Sequence, residues 1–499
     1  MTNTSLSRLS PTTISMLGEL GTYVDGRWID TGGASIDVVD PATGHVVSTV
    51  QSSGLDGVHR ATTAARRAFD DGRWSDLSAR ERAAAIRRLA DVIAEHEDEF
   101  TELGVVDVGT PVSLSRGLHA SAPVKFFDWY ADAAITGPLG GYEEGLGLST
   151  EPVTAMSTLY REPIGVVAAI SAYNYPLLIT AFKLGAALAA GCTAILMPSP
   201  QTLLASLAFV RCVEEAGIPP GTVNLVTGLA DVGEALTLSD DVDMVTFTGS
   251  VPVGRAVMEQ ASRGLKKVVL ELGGKSPNIL LPSADVQSSV GPSILRFTRN
   301  AGQGCGATTR TLVPRDRYDE YAETAAQFIS TLNVGDPWDA ATDIGPLISA
   351  RHRDRVQGYV DRAHAEGAVT LAGGGTTEQN EGFFMNPLLI GGVESTAEIC
   401  QEELFGPVGV LIPYDTVDDA LAIANGTRFG LNANIWGETK DSLALARKLK
   451  AGTVTINGGG ADRADAPWPS SGDSGVGVDR GMAGFSEFFN LRHVQYLVR

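Results

Sequence analysis

From Ile164 onward the chain alternates short apolar runs with longer amphipathic ones. Gly165–Ser171, Thr193–Met197, Val223–Thr227 and Val242–Thr248 are strand-length and rich in β-branched residues. Between and after them, Leu177–Ala190, Leu203–Ala216 and Val253–Arg263 carry apolar residues at helical spacing. Strands that alternate with helices in this way predict right-handed βαβ units and a parallel sheet. A second series runs from Val268 to about Ile456, with helices over Tyr318–Leu332, Arg351–Glu366 and Val417–Ala424. The predicted fold class is therefore α/β, with two parallel-sheet lobes.

The flanks follow other rhythms. Tyr23–Val50 reads as short strands around the turn Asp40-Pro-Ala-Thr-Gly44. Helices are predicted over Ala61–Ala68 and Ala79–Leu103, the latter N-capped by Ser78 with Glu81 three residues on. Gly137–Ser149 is glycine-rich and breaks the pattern; Thr154–Glu162 reads as a strand, half of a projecting hairpin. Val494–Arg499 looks like an isolated strand, which needs an edge to pair with. Met1–Leu20 is Ser/Thr-rich, a frayed arm and not a secretory signal. Pro163–Ile170 is strand-length and Ala181–Gly191 helix-length, so neither apolar run spans a bilayer.

Composition narrows the function. With 499 residues the chain exceeds one compact core, and 43% hydrophobic with 19% charged residues describes a globular protein. A formal charge of −21 argues against nucleic acid or an anionic membrane as partner. Cys192, Cys212, Cys305 and Cys400 form no C-x-x-C pair, which fits a reducing, cytoplasmic setting. No H-E-x-x-H or similar tight cluster appears, so no metal site is expected.

Cys305 lies between Gly304 and Gly306 in Asn300-Ala-Gly-Gln-Gly-Cys-Gly306. Little bulk stands beside its sulfur, which suggests a nucleophile presented to a small substrate, although most free cysteines are buried and inert. Glu271 ends the apolar run Val268-Val-Leu and precedes Gly273-Gly274, where burial would raise its pKa towards general-base duty; a carboxylate satisfied by turn amides is the other reading. Asn174 follows the first strand of the series, where ligand sites of open sheets collect. Its amide could serve an oxyanion, or the turn alone. Lys183 sits in an otherwise apolar helix and needs a partner. Phe247-Thr-Gly-Ser-Val-Pro-Val-Gly254 joins a strand to a helix N-terminus, either a phosphate site or a plain tight turn. Glu402-Glu-Leu-Phe-Gly-Pro407 is another acid-then-turn segment.

Taken in order, these segments resemble the aldehyde dehydrogenase superfamily over nearly the whole chain. The best-matched stretches are Arg161-Glu-Pro-Ile-Gly-Val-Val, Phe247-Thr-Gly-Ser, Leu270-Glu-Leu-Gly-Gly-Lys-Ser-Pro, Gly302-Gln-Gly-Cys and Glu402-Glu-Leu-Phe-Gly-Pro. The resemblance implies a Rossmann-like cofactor domain (1–136 and 163–274), a catalytic domain (275–480) and a small β oligomerisation element (137–162 and 481–499). It implies Cys305 as nucleophile, Glu271 as the base for water, Asn174 for the oxyanion and Lys183 in the catalytic network. NAD or NADP would lie along Ile170, Ser171, Tyr173, Met197, Ser199, Pro200, Gly228, Phe247, Thr248, Gly249, Ser250, Gly254, Leu272, Gly273, Glu403 and Phe405. The aldehyde would pass Tyr175, Phe182, Gly304, Gly306 and Trp468. The implied reaction is oxidation of a non-phosphorylated aldehyde to its acid through a thiohemiacetal and a thioester on Cys305. Alternatives are a CoA-acylating semialdehyde dehydrogenase, whose members generally lack the glutamate at Glu271, and a binding relative without turnover. The hairpin and C-terminal strand imply a homodimer or homotetramer.

The chain departs from the family at two points that touch its ligands. Leu196-Met-Pro-Ser-Pro200 stands where relatives have Leu-Lys-Pro-Ser-Glu, so neither Met197 nor Pro200 can hydrogen-bond the adenosine ribose through a side chain. Looser adenosine binding is expected, with NAD against NADP undecided. Pro467-Trp-Pro-Ser-Ser-Gly-Asp-Ser-Gly475 replaces Pro-Phe-Gly-Gly-x-Lys-x-Ser-Gly at the aldehyde mouth, beside the flexible Asn457-Gly-Gly-Gly460. Cys192, Cys212 and Cys400 are read as structural.

Overall fold

The computed structural model describes residues 8–17, 21–136, 143–379, 381–459 and 463–498. Among these the α/β class predicted from the periodicity is realised as two large sheets. The first runs in the order Arg27–Ile29, Thr22–Val24, Val223–Leu225, Thr193–Met197, Val166–Ile170, Met244–Thr248, Lys267–Glu271, Gly475–Val476. Its five central strands are parallel. Val166–Ile170, first of the series, has Thr193–Met197 on one side and Met244–Thr248 on the other. The direction of strand addition reverses there, opening a crevice beyond the strands' C-terminal ends. The second sheet runs Val369–Gly373, Leu388–Gly391, Val408–Tyr414, Arg310–Pro314, Pro277–Leu280, Asn432–Trp436, Thr453–Ile456, parallel except for its first strand.

Local chemistry sets these elements. Helix Pro176–Ala190 starts with proline at its first turn and stops at Gly191, whose φ of 101° only glycine takes easily. It is buried almost all round, which explains its lack of a polar face. Helix Ala79–Glu95 carries the expected capping box, Ser78 and Glu81 satisfying each other's amides. The predicted helix Ala79–Leu103 is in fact two, broken at His96 (φ −101°, ψ 28°) before Glu97–Val108. The predicted Ala61–Ala68 extends to Gly54–Asp70.

Three expectations are corrected. The described part of the supposed frayed arm contains helix Pro11–Leu17, whose Met16 and Leu17 join the first lobe's core; Ser10 N and Thr13 Oγ1 donate to Glu102 at 2.8 and 2.5 Å. Residues 1–7 and 18–20 lie outside the described residues. The C-terminal strand is not isolated: Phe489–Leu497 pairs antiparallel with Ala155–Pro163 along its full length. Part of the glycine-rich break, Glu143–Ser149, is a third strand of that sheet, since glycines at an exposed position cost a hairpin little when its neighbour supplies the ladder. The rest of that break (137–142), Gly460 and Arg499 lie outside the described residues. The chain also returns to the first lobe late: Gly475–Val476 pairs with Leu270–Glu271, and Phe485, Phe488 and Phe489 join that lobe's core.

Candidate active site

The nucleophile's loop is built by a left-handed pair. Asn300 and Ala301 have φ of 52° and 54°, a conformation costing about 1–2 kcal/mol per residue. Buried hydrogen bonds hold it. Asn300 Nδ2 donates to Asn174 O at 3.2 Å, and Gln303 Nε2 donates to Asn300 O at 3.2 Å. Gln303 Oε1 accepts from Ile348 N at 2.9 Å. Asn174 Nδ2 closes the circuit, donating to Gln303 O at 2.9 Å. One N–H of the Asn174 amide is thereby anchored two residues from Cys305.

Cys305 is half-exposed, whereas Cys192, Cys212 and Cys400 are buried. The flanking glycines are needed sterically. A Cβ at Gly306 would stand 3.2 Å from the Trp468 ring, and one at Gly304 would stand 3.4 Å from the Tyr175 hydroxyl. The Cys305 thiol is pushed up to about 12 by burial first and by the Glu271 and Glu403 carboxylates after it. A lone thiolate is thereby disfavoured.

Glu271 ends the strand Lys267–Glu271. It is 5% exposed, and neither carboxylate oxygen has a hydrogen-bond partner among the described residues. Burial raises its pKa well above the ordinary value, Asp479 adds to this, and Lys183 opposes it. The burial and raised pKa expected at this position are present. Lys183 is fully buried, donating to Thr246 Oγ1 at 2.9 Å and pairing with Asp479 Oδ2 at 3.1 Å. Asp479 was not anticipated from sequence. The partner that Lys183 requires is 296 positions away, delivered by the pairing of Val478–Asp479 with Trp468–Pro469.

Glu403 bends over the glycine pair. Its Oε1 accepts from Gly274 N at 2.9 Å, and a Cβ at Gly273 would collide with its other oxygen. Burial pushes the Glu403 carboxyl up to about 7. Phe405 takes φ 63°, and helix Ala350–Ala365 holds the loop: His352 Nε2 lies 2.7 Å from Phe405 O, and Arg355 donates to Glu403 O and Leu404 O at 2.9 and 3.0 Å. Sequence reasoning missed both, because a histidine and an arginine on a polar helix face carry no signal of their own. The Tyr173 ring packs 5.8 Å from Phe405.

Phe182 and Trp468 stand in aromatic surroundings. Phe126 meets Phe182 edge-on at 4.5 Å. The Arg480 guanidinium lies 5.1, 5.2 and 5.4 Å from the Phe126, Phe182 and Trp468 rings and donates to Arg463 O at 2.9 Å. Arg480, at φ 68° and ψ 166°, occupies backbone space nearly reserved for glycine. Neither it nor Phe126 was anticipated.

The crevice residues fit a dinucleotide in part. Ile170 and Ser171 end one strand at the reversal point, and Phe247, Thr248 and Gly249 end its neighbour, followed by Ser250 as N-cap of helix Val251–Ser262. No side chain caps that helix, so its first N–H groups are left for an anion. Gly254 and Gly228 are packing glycines: a Cβ at Gly254 would lie 2.5 Å from Leu272, and one at Gly228 would strike Val232. Gly254 lets the helix approach the sheet. At the end of the strand Thr193–Met197, Met197 is buried with its sulfur 3.6 Å from where a Gly233 Cβ would stand, and Ser199 Oγ accepts from Gln201 N at 3.3 Å. Pro200 offers no side-chain donor or acceptor.

Comparison with known proteins gives this arrangement its relatives. Betaine aldehyde dehydrogenase of Bacillus subtilis is 35% identical over 479 residues, covering 95% of this chain and 96% of that one. An aldehyde dehydrogenase from Bacillus cereus, solved in complex with NAD+, superposes with a TM-score of 0.94 at 33% identity, covering 99% of each chain. A cysteine-to-alanine variant of aldehyde dehydrogenase C from Pseudomonas syringae, solved with NAD+ and octanal, gives 0.90 at 36% identity over 98% of each chain. The family model described as the aldehyde dehydrogenase family matches residues 28–494. With the nucleophile's loop, the buried carboxyl and the two-sheet frame in one place, the chain belongs to the aldehyde dehydrogenase family.

Proposed function

We propose that this protein oxidises a non-phosphorylated aldehyde to its carboxylic acid with NAD or NADP as oxidant. The observation that carries the reading is the buried Glu271 carboxyl, close enough to the half-exposed Cys305 to raise its thiol, with the Asn174 amide anchored to Gln303 O two residues from the sulfur. The Cys305 sulfur attacks the carbonyl carbon while its proton passes to Glu271. The new alkoxide is stabilised by the second N–H of Asn174 and by the Cys305 backbone N–H. When bound, the nicotinamide supplies the acceptor for the hydride that leaves this thiohemiacetal. A thioester then remains on Cys305. Glu271 gives up the thiol's proton to solvent and then accepts one from water as that water attacks the thioester carbon; the C–S bond breaks, the acid departs, and the proton passes from Glu271 to the Cys305 sulfur. Crevice residues from Ile170 to Ser250, with Glu403 and Phe405, would hold the dinucleotide. Following cofactor reduction with NAD+ and with NADP+ across aliphatic, aromatic, amino and semialdehyde substrates tests the reading. Reduction by any of them that needs Cys305 supports it, and none under saturating aldehyde and cofactor would sink it.

The Lys183–Asp479 pair tunes the base. Asp479 raises the Glu271 pKa, so Asp479→Asn is expected to lower it, and the unbalanced Lys183 charge would push the same way. A general base works deprotonated, so the rate falls as pH drops through its pKa. The acidic limb of the kcat profile should therefore move to lower pH in Asp479→Asn. An unchanged or higher midpoint would contradict this.

The three-stranded sheet exposes Leu146, Leu148, Leu491, Val494, Tyr496 and Leu497. Leu148, Val494 and Tyr496 share one face of the sheet and Leu491 and Leu497 the other, and a neighbouring subunit would cover these exposed apolar side chains, giving a homodimer or homotetramer. Sedimentation at micromolar concentration should show no stable monomer; a lone 52.3 kDa species would overturn it.

A further inference from the structure

A chain of buried polar groups leads away from the nucleophile's loop into a part of the fold with no assigned role. Residues Arg116–Ser121 form a π-helical turn, a geometry that tends to persist where it serves a function. His119 within it is 1% exposed and fits only because residue 104 is glycine: a Cβ there would lie 2.7 Å from the ring. Its Nε2 is 3.0 Å from Thr110 Oγ1, which donates to Asn300 Oδ1 at 2.8 Å. The Asn300 amide donates in turn to Asn174 O, and Asn174 Nδ2 to Gln303 O.

The direction of every link follows from chemistry. Asn174 O can only accept, so the Asn300 nitrogen faces it and the Asn300 oxygen faces Thr110. Thr110 spends its single hydroxyl hydrogen on that oxygen, so it must accept from His119. The ring therefore carries its proton on Nε2, and Nδ1 is a bare acceptor, consistent with its having no hydrogen-bond partner among the described residues. Burial keeps the ring neutral, with its pKa lowered to about 3. The four links end on the strained Asn300–Ala301 pair and on the backbone of the residue whose amide meets the oxyanion.

We propose that His119, acting through Thr110 and Asn300, is a positioning residue that fixes the Asn174 amide and the Cys305 loop in the geometry the transition state needs. The inference rests on the proposed reaction. His119 also stacks obliquely at 6.1 Å on Tyr175, so one substitution cannot separate ring packing from donation. Two can. His119→Phe keeps a ring without the donor, and His119→Gln keeps an N–H donor without the ring.

The test is a double-mutant cycle on kcat/KM. His119→Phe is expected to lose on the order of tenfold, as small misplacements of reacting groups do, and His119→Gln most of that less. Repeated in Asn174→Ala, the His119→Phe loss should shrink to about twofold, because the Asn174 amide, the main group being positioned, is gone and only the effect on the Cys305 loop remains. Equal losses in both backgrounds, or a greater loss in His119→Gln than in His119→Phe, would overturn the proposal. Should His119→Phe fold poorly, Thr110→Val cuts the next link with little change of shape and must show the same dependence on Asn174. An Asn174→Ala protein as active as the parent would instead remove the oxyanion role itself, and the reading beneath this one with it.

Discussion

Cys305→Ala is expected to lower aldehyde oxidation by at least about 10³-fold while leaving the fold intact, because removing a nucleophile takes away the covalent route and not a support. The substitution deletes one half-exposed sulfur beside Gly304 and Gly306, where the Tyr175 and Trp468 rings already define the space. The other cysteines give the contrast. Cys212 is buried in the first lobe's core, and burial drives its thiol upward with no substrate path to it. Cys212→Ala should keep kcat near the parent value and show its effect in the melting temperature. Steady-state cofactor reduction and thermal melts on the two variants distinguish these outcomes. Substantial turnover in Cys305→Ala would mean that another group does the chemistry.

Glu271→Gln should separate the two halves of the reaction. The amide cannot take a proton from water, so thioester hydrolysis should slow by roughly 10²–10⁴-fold. The first half loses less, because thiol deprotonation can still occur to solvent at raised pH. Rapid mixing should show one equivalent of reduced cofactor per site, followed by a nearly flat trace. In the parent protein the buried Glu271 is held largely protonated until its raised pKa is passed, so activity should climb with pH. That climb should be missing from the steady state of Glu271→Gln. A variant that turns over at the parental rate would place the water-activating base elsewhere.

What could be read from sequence is what lies together in sequence. Cys305, Glu271 and Asn174 each stand in a short segment whose neighbours set their environment, so their roles followed from local chemistry and resemblance. The alternation of strand and helix fixed the two sheets for the same reason. Groups assembled across the chain were invisible. Lys183 announced that it needed a partner, but only the return of residues 475–479 to the first sheet identifies Asp479. His352 and Arg355 look like ordinary surface residues of a polar helix until the Glu403–Phe405 backbone is seen bound to them. Gly254 shows a packing need that the sequence did not signal: its missing side chain is what lets Leu272 approach. The N-terminal helix was missed because a single turn or two whose buried residues are Thr13, Met16 and Leu17 has too little apolar periodicity to register.

The central claim is that the substrate becomes an acyl group on the Cys305 sulfur and that Glu271 is needed to release it. Intact-mass and peptide mass spectrometry of Glu271→Gln, quenched in acid after mixing with cofactor and one aldehyde, tests it most directly. The account predicts a single adduct on the peptide containing Cys305, heavier by the mass of the aldehyde less two hydrogens. An unmodified Cys305, or an adduct on Cys192, Cys212 or Cys400, under conditions where cofactor is reduced would contradict it.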